Sequence, residues 1–185
     1  MHMPETLSRA ATCAGPRVRP VRLGDGRLVT IRPIRPDDEG RDHEFLDHLS
    51  PESRYQRFFG LMGRLDPALI DRLARADLGQ SLALVATVAD PEGERQVAIA
   101  SYAILPGGRT AEFAIAVDDA WQGTGLGSEL LSALVAAARD AHRLQGLHGV
   151  TMTDNHRMLG LARRAGFSLR RDPGDARVVK MERAL

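Results

Sequence analysis

The stretch AEFAIAVDDAWQGTGLGSELLSALVAAARDA, residues Ala111 to Ala141, decides the fold of this chain. It joins an apolar segment that predicts a strand, a loop with three glycines and an amphipathic segment that predicts a helix. Such a junction is typical of phosphate binding, because helix N-terminal amides point outward and glycine lets an anion approach them. A purely structural turn has the same pattern, so the neighbouring residues must decide between the two interpretations.

The residues around the loop exclude two common nucleotide-binding motifs. A Walker loop ends in Gly-Lys-Ser/Thr, but Gly127 is followed by Ser128 and Glu129. The dinucleotide fingerprint is G-x-G-x-x-G, and counting from Gly123 its third glycine would fall on Ser128. Nucleotide hydrolysis and nicotinamide binding are therefore excluded.

The segments on either side of the loop predict a mixed α/β fold. Turns such as Gly24–Gly26 and Asp90–Gly93 join apolar segments, which indicates an antiparallel meander before the loop. Strands are predicted at 27–34, 81–89, 95–105, 110–117, 146–153, 167–171 and 176–183, and Val21 and Leu23 are candidates for a partner strand to the first of them. Helices are predicted to begin at Asp37 or Asp38, Pro51, Pro67, Leu126 and Asn155. The fold class is α/β (α+β), with a twisted, mostly antiparallel sheet of about six to seven strands flanked by helices.

The bulk composition is that of one soluble domain. Hydrophobic residues make up 43% and charged residues 26% of the 185 positions, which is ordinary for a globular protein. The net charge of +1 favours neither nucleic acid nor a membrane surface as a partner. We expect residues 1–20 to be a flexible leader and residues 21–185 to be one domain, either monomeric or homodimeric. No run is long and apolar enough to span a bilayer and no secretion signal is evident, so a cytoplasmic location is expected.

The sequence predicts no metal site. Cys13 is the only cysteine, and His43 and His48 are five residues apart. Zinc-binding histidines on a helix are four residues apart, which keeps them on one face.

The residues Gln122-x-x-Gly125-x-Gly127 resemble the acyl-CoA pyrophosphate loop of the GCN5-related N-acetyltransferase (GNAT) family, whose pattern is Gln/Arg-x-x-Gly-x-Gly/Ala. A second family motif agrees, because Asn155 lies twelve residues before Phe167 of a Gly-Phe pair. The resemblance runs from about residue 28 to residue 183, and it implies a sheet splayed at the acyl-CoA site, with acetyl-CoA as cosubstrate. The residues that it implies for cofactor binding are Ala116, Val117, Gln122, Gly123, Thr124, Gly125, Leu126, Gly127, Ser128, Asn155 and Met158.

Glu112 is the candidate catalytic base. Only about one part in 10³ of an exposed alkyl amine is neutral at pH 7, so a base that removes the proton could contribute roughly 10²–10⁴ in rate. Glu112 lies among apolar residues of the predicted strand, where burial would make it a stronger base. The alternative is a glutamate that merely faces solvent.

The segment RLVTIRPIRPDDEGRDHEFLDHLSPESRYQRFFG, residues 27–60, resembles the opening of the catalytic domain in bacterial protein lysine acetyltransferases. That branch also lacks the tyrosine that many family members carry seven residues after the asparagine, and here the position is Ala162. The resemblance implies Glu112 as base and a protein lysine as acceptor. A small-molecule amine and a non-catalytic acyl-CoA-binding module remain alternatives. The residues expected to line the acceptor site are Tyr55, Arg57 and Phe59.

Overall fold

The computed structural model describes residues 18–58 and 81–185, and its eight strands form one sheet in the order β1-β2-β3-β4-β5-β6-β8-β7. The strands are β1 (Arg19–Arg22), β2 (Leu28–Pro33), β3 (Ser81–Asp90), β4 (Gly93–Ile104), β5 (Thr110–Val117), β6 (Gly146–Met152), β7 (Ser168–Arg171) and β8 (Val178–Ala184). The α-helices of the described residues are α1 (Glu39–His48), α2 (Pro51–Phe58), α3 (Leu126–Asp140) and α4 (His156–Arg164). This architecture confirms the predicted α/β class, with one strand more than the expected upper number.

The first five strands pair in chain order, each antiparallel to the next. Short turns join β1 to β2, β3 to β4 and β4 to β5, and they leave no room for a crossover. β2 and β3 are also antiparallel, although the connection between them is long and contains α1 and α2. Pro91 and Glu92 alone join β3 to β4, and Gly93 takes the positive φ of 129° that the tight reversal requires. β5 and β6 are parallel because α3 carries the chain across the sheet between them.

The pairing between β5 and β6 is short. Thr110–Glu112 pair with Gly146–His148, whereas β5 continues to Val117 and β6 to Met152. The two strands therefore diverge after Glu112, which is the splay that the family resemblance implied. The glycine loop follows the end of β5, so the opening lies beside that loop.

Each face of the sheet has its own apolar core. α3 and α4 cover one face, and the fully buried leucines of α3 are Leu126, Leu130, Leu131 and Leu134. On the other face lie Phe45 and Leu46 of α1 and Leu49, which directly follows that helix. Since side chains alternate along a strand, Phe113 of β5 packs in the first core and Ala116 in the second. Glu112 has the parity of Ala116, so its side chain projects on the α1 and α2 side of the sheet.

A buried ion-pair network joins β2 to the start of α1. The Arg32 guanidinium donates to both carboxylate oxygens of Asp38, at 2.6 and 2.7 Å, and to Glu94 at 2.7 Å. Asp38 also accepts from the backbone N–H of Arg35 and from the Arg41 side chain, each at 2.8 Å. Burial alone would raise the pKa of Asp38, but these donors together lower it. Asp38, one of the two residues at which the helix was predicted to begin, is the N-cap of α1, but its carboxylate makes no capping hydrogen bond there and neutralises the buried Arg32 instead.

Asp42 of α1 makes folding stability depend on pH. Its Oδ1 atom and the side-chain amide atoms of Gln96 are buried without a hydrogen-bond partner among the described residues. Burial raises the pKa of Asp42 from 3.8 to about 6. Between these two pH values the folded state keeps a proton that the unfolded state has released. The free energy of unfolding therefore falls as pH rises from about 4 to 6.

We expect Asp42→Asn to raise the free energy of unfolding at pH 7 by up to about 3 kcal/mol, since it removes the cost of burying the charge. Near pH 4 the variant and the parent protein should have nearly the same stability. Urea unfolding at both values measures the difference, and Glu44→Gln, an exposed change on the same helix, is the control. A gain in stability from Asp42→Asn that is equal at both pH values would contradict the assignment.

The remaining fold predictions differ in detail or lie outside the described residues. β1 begins at Arg19, two residues inside the predicted leader, because it pairs with β2. The helix predicted from Pro67, Phe59 and residues 1–17 all lie outside the described ranges. Within residues 18–58 and 81–185, no helix has both the length and the apolar character needed to cross a bilayer.

Candidate active site

A cleft of about 760 Å³ opens where β5 and β6 diverge. Its walls come from β5, from the glycine loop with the start of α3, from α2 and from α4. Of the residues predicted to bind the cofactor, those that line it are Ala116, Val117, Gln122, Gly123, Gly125, Gly127, Ser128, Asn155 and Met158. Two predicted catalytic and acceptor residues, Glu112 and Arg57, line it as well.

The glycine loop has the backbone geometry that brings amides to this cleft. Gly123 and Gly125 have positive φ values of 77° and 95°, and Gly125 is the N-cap of α3. A β-carbon on Gly127 would lie 3.3 Å from Cδ2 of Leu161 and 3.9 Å from Cγ2 of Val117, so its small size lets α3 approach α4 and β5 closely. The first turn of a helix carries its positive dipole end, which favours an anionic ligand here. The Ser128 N–H already donates to the Gly125 carbonyl at 3.0 Å and the Leu126 N–H to the Thr124 hydroxyl at 3.4 Å, so the other amides of the loop are better placed to meet a ligand.

The turn between β1 and β2 packs against the start of the glycine loop. The Arg27 guanidinium carbon lies 4.1 Å from the centroid of the Trp121 ring, and Arg27 donates to the backbone carbonyl of Ala120 at 3.1 Å. Trp121 is itself buried. Thr124 donates to the Trp121 carbonyl at 2.8 Å and Leu126 is fully buried, so neither side chain lines the cleft. Only the backbone of these two predicted cofactor residues is suited to contact a ligand.

The side chain of Gln122 joins three walls of the cleft. Its Nε2 atom donates to Ser53 Oγ of α2 at 3.2 Å and to the carbonyl of Val117 at 3.1 Å. Its Oε1 atom accepts from Nη1 of Arg157 of α4 at 2.6 Å. Gln122 therefore fixes the loop relative to α2, β5 and α4.

Asp119 attaches α2 to the same loop. Its carboxylate accepts from the backbone N–H of Ser50 at 3.0 Å, from the Ser50 hydroxyl at 3.0 Å and from the Ser53 hydroxyl at 2.8 Å. Burial would raise the pKa of Asp119, but these hydrogen bonds together lower it. The start of a helix at Pro51 was predicted from the sequence, but the roles of Asp119 and Ser53 were not, because nothing local indicates a contact across 66 residues.

Asn155 lines the cleft and also caps a helix through a hydrogen bond. It is the N-cap of α4, and its Oδ1 atom accepts from the backbone N–H of Met158 at 3.0 Å. That bond leaves the amide nitrogen as the donor that the side chain can present to a ligand. Ala162, at the position where many family members have tyrosine, is fully buried against the core.

Glu112 lies at the end of the cleft opposite the glycine loop, at the last position of β5 that pairs with β6. Its side chain is exposed, so the expectation that it is buried was wrong. Alternation directs Glu112 to the face of α1 and α2, and the core that buries Ala116 on that face does not extend to Glu112. As a base, Glu112 would depend on position rather than on desolvation.

Arg57 of α2 lies near Glu112. Burial lowers the pKa of Arg57 to about 10, and the negative charge of Glu112 acts in the opposite direction. The guanidinium therefore keeps its charge at neutral pH. Tyr55, also predicted for the acceptor site, is 46% exposed and is not among the cleft-lining residues.

Comparison with known proteins gives consistent matches. A sequence profile of the acetyltransferase (GNAT) family matches residues 43–167, a region that contains β5, the glycine loop and α4. An acetyltransferase of Pseudomonas aeruginosa is 37% identical over 157 residues, which cover 85% of this chain and 84% of that protein. The acetyltransferase Pat of Mycolicibacterium smegmatis is 29% identical over 175 residues, which cover 90% of this chain but 51% of that protein. Among solved structures, the GNAT domain of S. lividans PAT matches with a TM-score of 0.81 at 30% identity, over 91% of this chain and 97% of that chain.

Proposed function

Because this chain belongs to the acetyltransferase (GNAT) family, whose cosubstrate is acetyl-CoA, we propose that it acetylates a protein lysine by direct attack in a ternary complex. The observation that carries the proposal is the course of the cleft. It runs along β5 from an amide-rich glycine loop to the exposed carboxylate of Glu112.

The cleft residues suit each part of acetyl-CoA. The loop amides from Gly123 to Gly127 and the positive N-terminal end of α3 favour the pyrophosphate. Beyond Glu112, the edge of β5 that faces the splay offers backbone groups to the amides of the pantetheine arm. Five residue steps from Val117 to Glu112 span about 16 Å, so an extended arm would bring the thioester close to Glu112.

The protein then positions the two substrates and provides a proton acceptor. The amine nitrogen attacks the thioester carbonyl, a C–N bond forms, and the C–S bond breaks. Glu112 takes the amine proton, directly or through water, and this transfer supplies a rate factor of roughly 10²–10⁴. The thiolate takes a proton from water, since Ala162 carries no donor.

Two features favour a protein lysine as the acceptor. Residues 27–60 resemble the start of the catalytic domain of bacterial protein lysine acetyltransferases. Glu112 is exposed at the end of the cleft, so an amine on a bulky substrate can reach it along an extended side chain. A long, flexible lysine side chain meets that requirement.

Incubation of the protein and labelled acetyl-CoA with a cell extract tests this proposal. We expect label in the protein fraction, on lysine side chains, in amounts that depend on active enzyme. Label found only in small molecules would replace the lysine acceptor by a small amine. Tight acetyl-CoA binding with no release of free thiol, across proteins and a broad amine panel, would indicate a binding module and reject the proposal.

A further inference from the structure

Phe113 occupies the end of the cleft next to Glu112. It is the first residue of β5 beyond the short ladder with β6, and its side chain projects toward α3 and α4. It is 3% exposed, and it lines the cleft. Neighbouring residues of a strand project to opposite faces of the sheet. Glu112 and Phe113 therefore lie on opposite faces at the position where β5 separates from β6.

The Phe113 ring lies in space that a glycine leaves open. A β-carbon on Gly149 of β6 would lie 2.6 Å from Cε1 of Phe113 and 3.0 Å from Cδ1 and Cζ. Real β-carbons do not approach a ring so closely, so the ring packs directly on the Gly149 backbone. Gly149 pairs with Met181 of β8, and Met181 also lines the cleft.

A second aromatic residue holds this ring in place. The centroids of Phe113 and Phe167 are 5.0 Å apart, with the rings tilted by 44°. Phe167 is buried in the same core but is not among the cleft-lining residues. In a close-packed interior, the Phe113 ring therefore has neighbours on the sides away from the cleft and cannot easily withdraw.

We propose that Phe113, seated on Gly149, closes the acyl end of the cleft and restricts the enzyme to short acyl groups. The inference rests on the proposed function, because it needs the thioester to lie beside Glu112. An acetyl methyl group would meet the face of the ring, whereas a longer chain would need the space that the ring fills. Phe113 is thus the residue that determines acyl-chain length.

Titration calorimetry with acetyl-CoA, butyryl-CoA and hexanoyl-CoA on the full chain tests this role without an acceptor. We expect hexanoyl-CoA to bind the parent protein about tenfold or more weakly than acetyl-CoA, as is typical when methylenes do not fit a pocket. In Phe113→Leu and Phe113→Ala the ratio of the two dissociation constants should fall to about threefold or less. Phe45→Leu, which removes a buried ring in the core on the other face of the sheet and outside the cleft-lining set, should keep the ratio of the parent protein.

Gly149→Ala provides a test in the opposite direction. The added methyl group would push the ring toward the cleft, so the affinity for butyryl-CoA should fall more than that for acetyl-CoA. If Phe113→Ala does not fold, Phe113→Leu still decides the question. Equal binding of acetyl-CoA and hexanoyl-CoA by the parent protein, or an unchanged ratio in the Phe113 variants, would overturn the inference but not the acetyltransferase proposal. Failure of the parent protein to bind acetyl-CoA would overturn both.

Discussion

Glu112→Gln is expected to lower turnover about 10²–10⁴-fold, which is the contribution of a positioned general base. Acetyl-CoA affinity should stay within about threefold of that of the parent protein, because the substitution keeps the shape of an exposed side chain. Thiol release with a lysine-containing acceptor measures the first quantity, and titration calorimetry measures the second. Retained affinity separates loss of the base from loss of the fold.

Glu182→Gln is the matched control for this experiment. Glu182 of β8 lies in the same row across the sheet, since Glu112 pairs with His148 and His148 pairs with Glu182. It therefore projects on the same face but is not among the cleft-lining residues. Its turnover should match that of the parent protein. Equal turnover in the Glu112 and Glu182 variants would reject Glu112 as the base and would favour a substrate amine that loses its proton to water.

Gly125→Asp should weaken acetyl-CoA binding on the order of 100-fold relative to Gly125→Asn. Gly125 has a φ of 95° and a ψ of −9°, a left-handed conformation that asparagine and aspartate tolerate best among non-glycine residues. A β-carbon at this position meets no atom within 4 Å, so both side chains fit. They differ mainly in charge, and a carboxylate about 6 Å from the pyrophosphate costs roughly 3 kcal/mol at an effective dielectric constant of about 20.

Salt and a truncated ligand supply the controls for the Gly125 pair. Because the effect is electrostatic, the difference between the two variants should shrink as ionic strength rises. S-acetylpantetheine lacks the pyrophosphate, so it should bind both variants with the same affinity. If the two variants bind acetyl-CoA equally well at low salt, the pyrophosphate does not lie at the glycine loop.

Local signals in the sequence were sufficient for most of the fold. Pro51 after Ser50 predicted the start of α2, and the Ser50 hydroxyl does accept from the backbone N–H of Ser53 at 3.2 Å. The turn at Asp90–Gly93 predicted the hairpin of β3 and β4. These features were predictable because caps and turns depend on neighbours within about four residues, all of which are visible in the sequence.

Contacts between distant segments were not predictable in the same way. The carboxylate of Asp119 holds Ser50 and Ser53, which are 69 and 66 residues away. The exposure of Glu112 depends on how far the core that buries Ala116, on the same face of β5, extends along that strand. An alternating strand pattern is compatible with either outcome, so the assumption of burial could be corrected only by the packing.

By itself, the sequence determined the strand–glycine loop–helix junction, the order of the elements and the family to which the chain belongs. Those properties depend on the backbone preferences of individual residues and on spacings within short segments, and both can be read from the residue types. Tertiary structure alone decided where β5 leaves β6, that Asp119 attaches α2 to the glycine loop, and that the Phe113 ring rests on Gly149. The physical reason is that each of these contacts joins segments whose separation in space depends on the packing of the whole sheet.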